Sequence, residues 1–173
     1  MHTWIRLYFI TLIDNFSCYC WIYFTTHKDT KMIHDIYIQW KADVENKANT
    51  SVSYLQMDCG SKHKREMAKI LKAGGTMHIP SSSHSHKSNG LAECQNWILK
   101  ATARMLLCQA NMPSSFWMKA INAACNIRNW LPHSSLLSGT VLMKHSLTLD
   151  HFHVFSSIAY IHIPGERQPP QSA

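Results

Sequence analysis

Residues 50–79 read TSVSYLQMDCGSKHKREMAKILKAGGTMHI, and the alternation within them decides the fold class. Thr50–Met57 is rich in β-formers and halts at Asp58-Cys59-Gly60, so it is expected to be a strand. Lys62–Ala73 then reads as a short basic helix with Gly74-Gly75 as its C-terminal stop, and Thr76–Ile79 as a brief second strand. Strand, helix and strand in succession predict an α/β domain.

Working outward toward the N-terminus, Leu7–Ile13 and Tyr19–Phe24 are apolar and aromatic or β-branched, and Asp14-Asn15-Phe16-Ser17 between them carries turn chemistry. A β-hairpin is expected. Lys28–Asn46 places Met32, Ile36, Trp40 and Val44 four apart, the stripe of an amphipathic helix. On the other side, Pro80–Gly90 is a loop rich in Ser, His and Asn. Leu91–Asn111 regains helical periodicity through Ala92, Leu99, Ala103, Leu106 and Ala110, and Pro113–Trp130 is expected to be a helix opened by its proline. Phe152–Ile163 is predicted to be a strand, followed by a polar tail containing Pro169-Pro170.

Composition narrows the classes. The 173 residues suit one domain, and 46% hydrophobic residues argue against wholesale disorder. Charged residues are 16%, below the roughly 25% of ordinary soluble chains. The net charge of +7 is uneven: residues 51–110 hold eight basic against three acidic residues, while residues 1–50 hold five of each. A polyanion would be met in that middle third, unless it is simply a solvated basic face. The cysteines Cys18, Cys20, Cys59, Cys94, Cys108 and Cys125 follow no zinc-ligand spacing and are expected to be reduced thiols. His84/His86 and His151/His153 could each put two imidazoles on one side of a strand, but no cysteine or carboxylate stands at set spacing, so the incidental reading is preferred. No run approaches the roughly 18 apolar residues of a bilayer span, so no membrane association is expected.

Two acids carry the candidate chemistry. Asp58 directly follows a predicted strand, at the end where α/β folds place their sites, and Glu93 lies in the first turn of the long helix. Converging carboxylates of this kind can hold divalent ions that bridge a phosphate and an attacking oxygen. Taken alone, Asp58 reads more simply as a turn former, and Glu93 as an acid favouring its helix dipole.

The segment Ser88-Asn89-Gly90-Leu91-Ala92-Glu93-Cys94-Gln95-Asn96 resembles the surroundings of the catalytic glutamate in integrases of copia-type LTR retrotransposons. The resemblance extends in order through Ala103–Leu106, Pro113–Trp117, Asn122–Ala124, Leu131-Pro132 and Val154-Phe155, and upstream through Tyr8–Ser17, Trp21–Phe24 and Leu55–Gly60. It implies a ribonuclease H-like mixed sheet with flanking helices, and a polynucleotidyl transferase that joins element ends to target DNA. It also implies Asp58 and Glu93 as two carboxylates of an Asp, Asp, Glu triad holding Mg²⁺ or Mn²⁺, with Asn89, Gly90 and Asn96 shaping the loop and helix start beside them.

Departures from the family pattern modify that expectation. The family's first aspartate sits on a central strand preceding the Tyr8–Ile13 match, so a chain numbered from Met1 is expected to lack both, and Asp14 is the only early acid in a strand context. Loss of that strand implies exposed strand edges, unless the hairpin pairs with Thr50–Met57 directly, and loss of the ligand implies impaired strand transfer. The loop proline of the pattern is His86, and Cys94 and Trp97 replace DNA-facing arginines. What remains is one helical side carrying Glu93, Trp97, Lys100 and Arg104. With Lys87, Asn89 and Asn96, these are the candidate nucleic-acid contacts; Trp97 could instead pack against a neighbouring helix. Residues 1–130 are expected to form a partial catalytic core and residues 131–173 its extension. Partners implied are DNA and a second copy of the chain, and the location implied is the nucleus. The alternative is a noncatalytic nucleic-acid-binding or self-associating remnant of a retrotransposon polyprotein.

Overall fold

The structure, a computed structural model, describes residues 8–57, 64–80, 90–131, 150 and 152–158. Strands β1 (Tyr8–Ile13) and β2 (Cys20–Thr25) form the expected antiparallel hairpin, in register from Tyr8 opposite Thr25 to Ile13 opposite Cys20. Its turn is built by Asp14, whose Oδ2 accepts hydrogen bonds from the Ser17 N–H at 2.7 Å and the Ser17 hydroxyl at 2.6 Å. Because side chains alternate across a strand, Phe9, Ile13, Cys20, Ile22 and Phe24 share one face and Leu12, Trp21 and Tyr23 share the other. Each face meets helices. The strands accordingly read as continuous apolar runs.

Helix α1 (Thr30–Ala48) covers the second face. Its buried residues are Tyr37 and Trp40, with Val44 packed alongside, so the buried stripe is rotated from the one expected around Met32 and Ile36. Trp40 meets Trp21 edge-on at a centroid distance of 5.6 Å. Its indole Nε1 is buried with no hydrogen-bond partner.

Strand β3 (Tyr54–Met57), helix α2 (Lys64–Ala73) and strand β4 (Met77–Pro80) realise the alternation of residues 50–79, and the two strands pair in parallel with Tyr54 opposite Met77. Helix α2 buries Met67 and Leu71. It stops at Gly75, whose φ of +70° is costly for any residue with a Cβ. Buried Thr76 ties this unit to α1: its hydroxyl accepts from Tyr37 Oη at 2.8 Å and Lys41 Nζ at 3.0 Å, and donates to the Val52 carbonyl at 3.0 Å.

Among the described residues no ladder joins β1 to β3; the hairpin and the β3–β4 pair are separate two-stranded sheets. The direct pairing of the hairpin with the Thr50–Met57 strand is therefore not made. What unites the sheets is α1, whose cluster of Tyr37, Trp40 and Leu71 gathers Leu12, Trp21 and Tyr23 from one and Leu55 from the other.

Helix α3 (Gly90–Gln109) and helix α4 (Trp117–Trp130) pack together on the remaining hairpin face through Leu99, Ala103, Ala120, Ile121, Ala124 and Cys125. The alanines at this seam let two backbones approach closely. A single 3₁₀ turn at Ser114–Phe116 precedes α4, with Pro113 in an extended conformation before it, so the proline stands ahead of the helix instead of in its first turn.

One expectation is corrected. Within Phe152–Ile158 the chain is no strand: Ser156 takes a φ of +72° and the Ser157 N–H donates to the Val154 carbonyl at 3.0 Å, closing a turn. Alternation of apolar residues makes a strand only where a partner supplies the ladder. Here two phenylalanines find helices instead, Phe155 on the α3–α4 cluster and Phe152 against Trp130 at 6.0 Å, while Val154 and Ile158 stay exposed. The rest of that predicted strand lies outside the described residues.

Candidate nucleic-acid interface

The exposed side of α3 presents the basic and aromatic groups. Its seam with α4 takes Leu99 and Ala103, so residues on the opposite arc face outward: Glu93 in the first turn, then Trp97, Lys100 and Arg104, all exposed. Trp97 is 67% exposed, which excludes packing against a neighbouring helix within the described structure. A large indole left in water is a platform for a planar ligand. The Lys100 ammonium lies over the Phe9 ring, with Nζ 5.8 Å from its centroid.

The start of this helix is fixed to the hairpin. Thr11 Oγ1 donates to Asn96 Oδ1 at 2.6 Å, joining β1 to α3. Asn96 thus positions its neighbours Glu93 and Trp97 by tying this turn of α3 to β1. Sequence reasoning missed Gln95, which is buried and accepts from Arg128 Nε at 3.2 Å, so that α3 and α4 are joined by a polar pair beside their apolar seam. Its spacing, three after Ala92 and four before Leu99, puts this amide in register with the apolar stripe, a signal of burial; its partner is decided only by the position of α4.

Asp58, Lys87 and Asn89 lie outside the described residues, as do His84, His86 and His151. Of the two candidate metal ligands, Glu93 alone is placed, on the exposed first turn of α3. Asp14 has its Oδ2 committed to Ser17. Among the described residues no group of three or more His, Cys, Asp or Glu side chains is arranged to hold a metal ion. No helix described is long and apolar enough to cross a membrane.

The fold is shared with a chain of the simian T-cell lymphotropic virus intasome in complex with PP2A regulatory subunit B56 gamma. That likeness covers 95% of this chain and 53% of the other, with a TM-score of 0.57 at 17% identity. The class is therefore a mixed α/β fold found in an intasome chain. No family model matches the sequence. Its relatives are nevertheless specific: the Retrovirus-related Pol polyprotein from transposon TNT 1-94 of Nicotiana tabacum is 28% identical over 165 residues, 93% of this chain. The Pol polyprotein from transposon RE2 of Arabidopsis thaliana is 29% identical, and the Ty1-DR4 Gag-Pol polyprotein of Saccharomyces cerevisiae 28%, each over 72% of this chain. The chain is a homologue of copia-type retrotransposon Pol polyproteins over most of its length. It spans 12% of the tobacco polyprotein and 8% of the other two.

Proposed function

We propose that this chain is the catalytic-core portion of an integrase-type polynucleotidyl transferase, acting on element ends and target DNA, with impaired strand transfer. The observation that carries the reading is the exposed arc of α3, where Trp97, Lys100 and Arg104 follow Glu93 on a helix pinned to β1 by Asn96. Lys100 and Arg104 neutralise successive phosphates, and Trp97 stacks on an unpaired base. Lys87 and Asn89, preceding the helix, extend the same contact. Kinship with copia-type Pol polyproteins and the intasome-like fold support it.

In this reading residues 1–130 belong to a ribonuclease H-like core and residues 131–173 to its extension. Asp58 and Glu93 are the proposed ligands for Mg²⁺ or Mn²⁺, which would supply Lewis-acid stabilisation of the attacked phosphate. The described donors do not form that site by themselves, since Glu93 stands alone and Asp14 is spent on its turn. A site holding only Asp58 and Glu93 would give the attacking and leaving oxygens no symmetric clamp, and transfer by it would be impaired. Self-association and a nuclear location belong to the same proposal.

Strand joining of oligonucleotide ends with Mg²⁺ or Mn²⁺, on protein shown folded by circular dichroism, tests it. Weak joining abolished by Glu93→Gln supports the enzyme. Replacing Lys100 and Arg104 by Ala is expected to flatten the salt dependence of log K for DNA by about 1.4–1.8 on a logarithmic axis, two phosphate contacts' worth. Absence of joining, with salt-sensitive binding indifferent to Glu93→Gln, would instead establish the noncatalytic remnant, a reading favoured by the engagement of Asp14 in its turn.

A further inference from the structure

We propose that Cys20 and Cys125 form a reversible disulfide site that staples the hairpin to α4 when the protein meets a low-molecular-weight disulfide. Both are free and buried, on β2 and α4, 105 positions apart in the chain. The Cys125 thiol donates to the Cys20 carbonyl oxygen at 3.2 Å, which brings its sulfur against the residue that carries the second thiol. Asn129, one turn beyond Cys125, holds the two elements at this separation. Its Oδ1 accepts from the Cys20 N–H at 2.8 Å, and its Nδ2 donates to the Cys20 carbonyl at 2.7 Å and to Cys125 Sγ at 3.8 Å. One side chain thus grips both backbone polar groups of Cys20 and the sulfur of its partner. Disulfides form where the backbone already brings two thiols together, because their geometry tolerates little backbone movement.

Asn129 Nδ2 donates to the Cys125 sulfur and so favours its thiolate. Exchange that starts at Cys125 gives the same products as exchange that starts at Cys20. The Cys125 thiolate attacks one sulfur of the small disulfide, whose S–S bond breaks and releases a thiolate. Cys20 then loses its proton and attacks the Cys125 sulfur of the mixed disulfide, expelling the second small thiolate. Two protein thiols are oxidised to one disulfide, and one small disulfide is reduced to two thiols. Because both sulfurs are buried, reaction waits on opening between α4 and the hairpin, and exposed Cys94 and Cys108 react first.

Glutathione disulfide is the probe. The wild-type protein is incubated to completion, quenched with acid, alkylated and mapped by mass spectrometry. A peptide pair joined through Cys20 and Cys125 is expected, two hydrogens lighter than the free pair, with Tm raised by about 5 °C or more. Dithiothreitol reverses both changes. The Cys94→Ser/Cys108→Ser variant keeps the cross-link and Cys125→Ala loses it; should the latter fail to fold, the wild-type map decides. The proposal is overturned if natively folded protein, its exposed thiols fully reacted, yields Cys20 and Cys125 unlinked, separately glutathionylated, or bridged to Cys18.

Discussion

The hairpin and the β3–β4 pair are both two-stranded sheets, yet one is packed on two faces and the other on one. The hairpin lies between α1 and the α3–α4 pair. The β3–β4 pair turns Leu55 toward α1 but leaves Tyr54 and Met77, each 62% exposed, facing away from any described helix. A two-stranded sheet is marginal by itself. The hairpin gains its stability from burial on both sides, and the β3–β4 pair from the crossover helix and the Thr76 hydrogen bonds.

Breaking the two regions separately should show the asymmetry. Leu99→Ala, at the α3–α4 seam beneath the hairpin, is expected to cost about 2–5 kcal/mol through lost burial and the cavity left behind, measured by urea denaturation. Thr76→Val removes the hub that joins α1 to the β3–β4 unit and leaves the Tyr37 hydroxyl buried; a loss of about 1–3 kcal/mol is expected by the same measurement. Hydrogen exchange in that variant should rise across β3 and β4 before it rises across β1 and β2. On the bare face, Tyr54→Ser and Met77→Thr should each stay within about 0.5 kcal/mol of wild type, since neither side chain is withdrawn from water.

The smallest effect is a pH dependence. Burial, partly offset by the hydrogen bond to Thr76, raises the Tyr37 phenol above its ordinary value of 10.0. The unfolded chain therefore ionises first on an alkaline titration. Its stabilising effect is whole below pH 10.0 and is lost as pH climbs through the raised folded value. Tm should fall above pH 10, and less steeply in Tyr37→Phe; Tyr19 and Tyr23, also raised mainly by burial, maintain the remaining slope.

Much of this architecture was legible in advance. Asp14 and Ser17 announced the hairpin turn, because their side chains bond locally and need no distant partner. Gly75 announced the end of α2 for a similarly local reason, its positive φ. The exposed arc of Glu93, Trp97, Lys100 and Arg104 followed from helical spacing. Less legible were the residues whose roles depend on elements far away in sequence. Asn129 looked like an ordinary helix residue, yet it clamps a strand 109 positions earlier. Asn96, expected to shape the helix start and to contact nucleic acid, takes its hydrogen bond from Thr11 on a strand 85 positions earlier, a partner that spacing did not name.

The sequence by itself determined where the strands, helices and turns fall in the described residues up to Trp130 and which side of α3 is charged, because turn chemistry, glycine conformation and 3.6-residue periodicity act over a few neighbours. Tertiary structure alone decided that α1 would span two unjoined sheets, that Gln95 and Asn129 would be interior polar clamps, and that Phe152–Ile158 would turn instead of pairing. Each of those outcomes depends on which surface arrives opposite a residue once the chain has packed, and a buried polar group or a strand edge takes its partner from that surface.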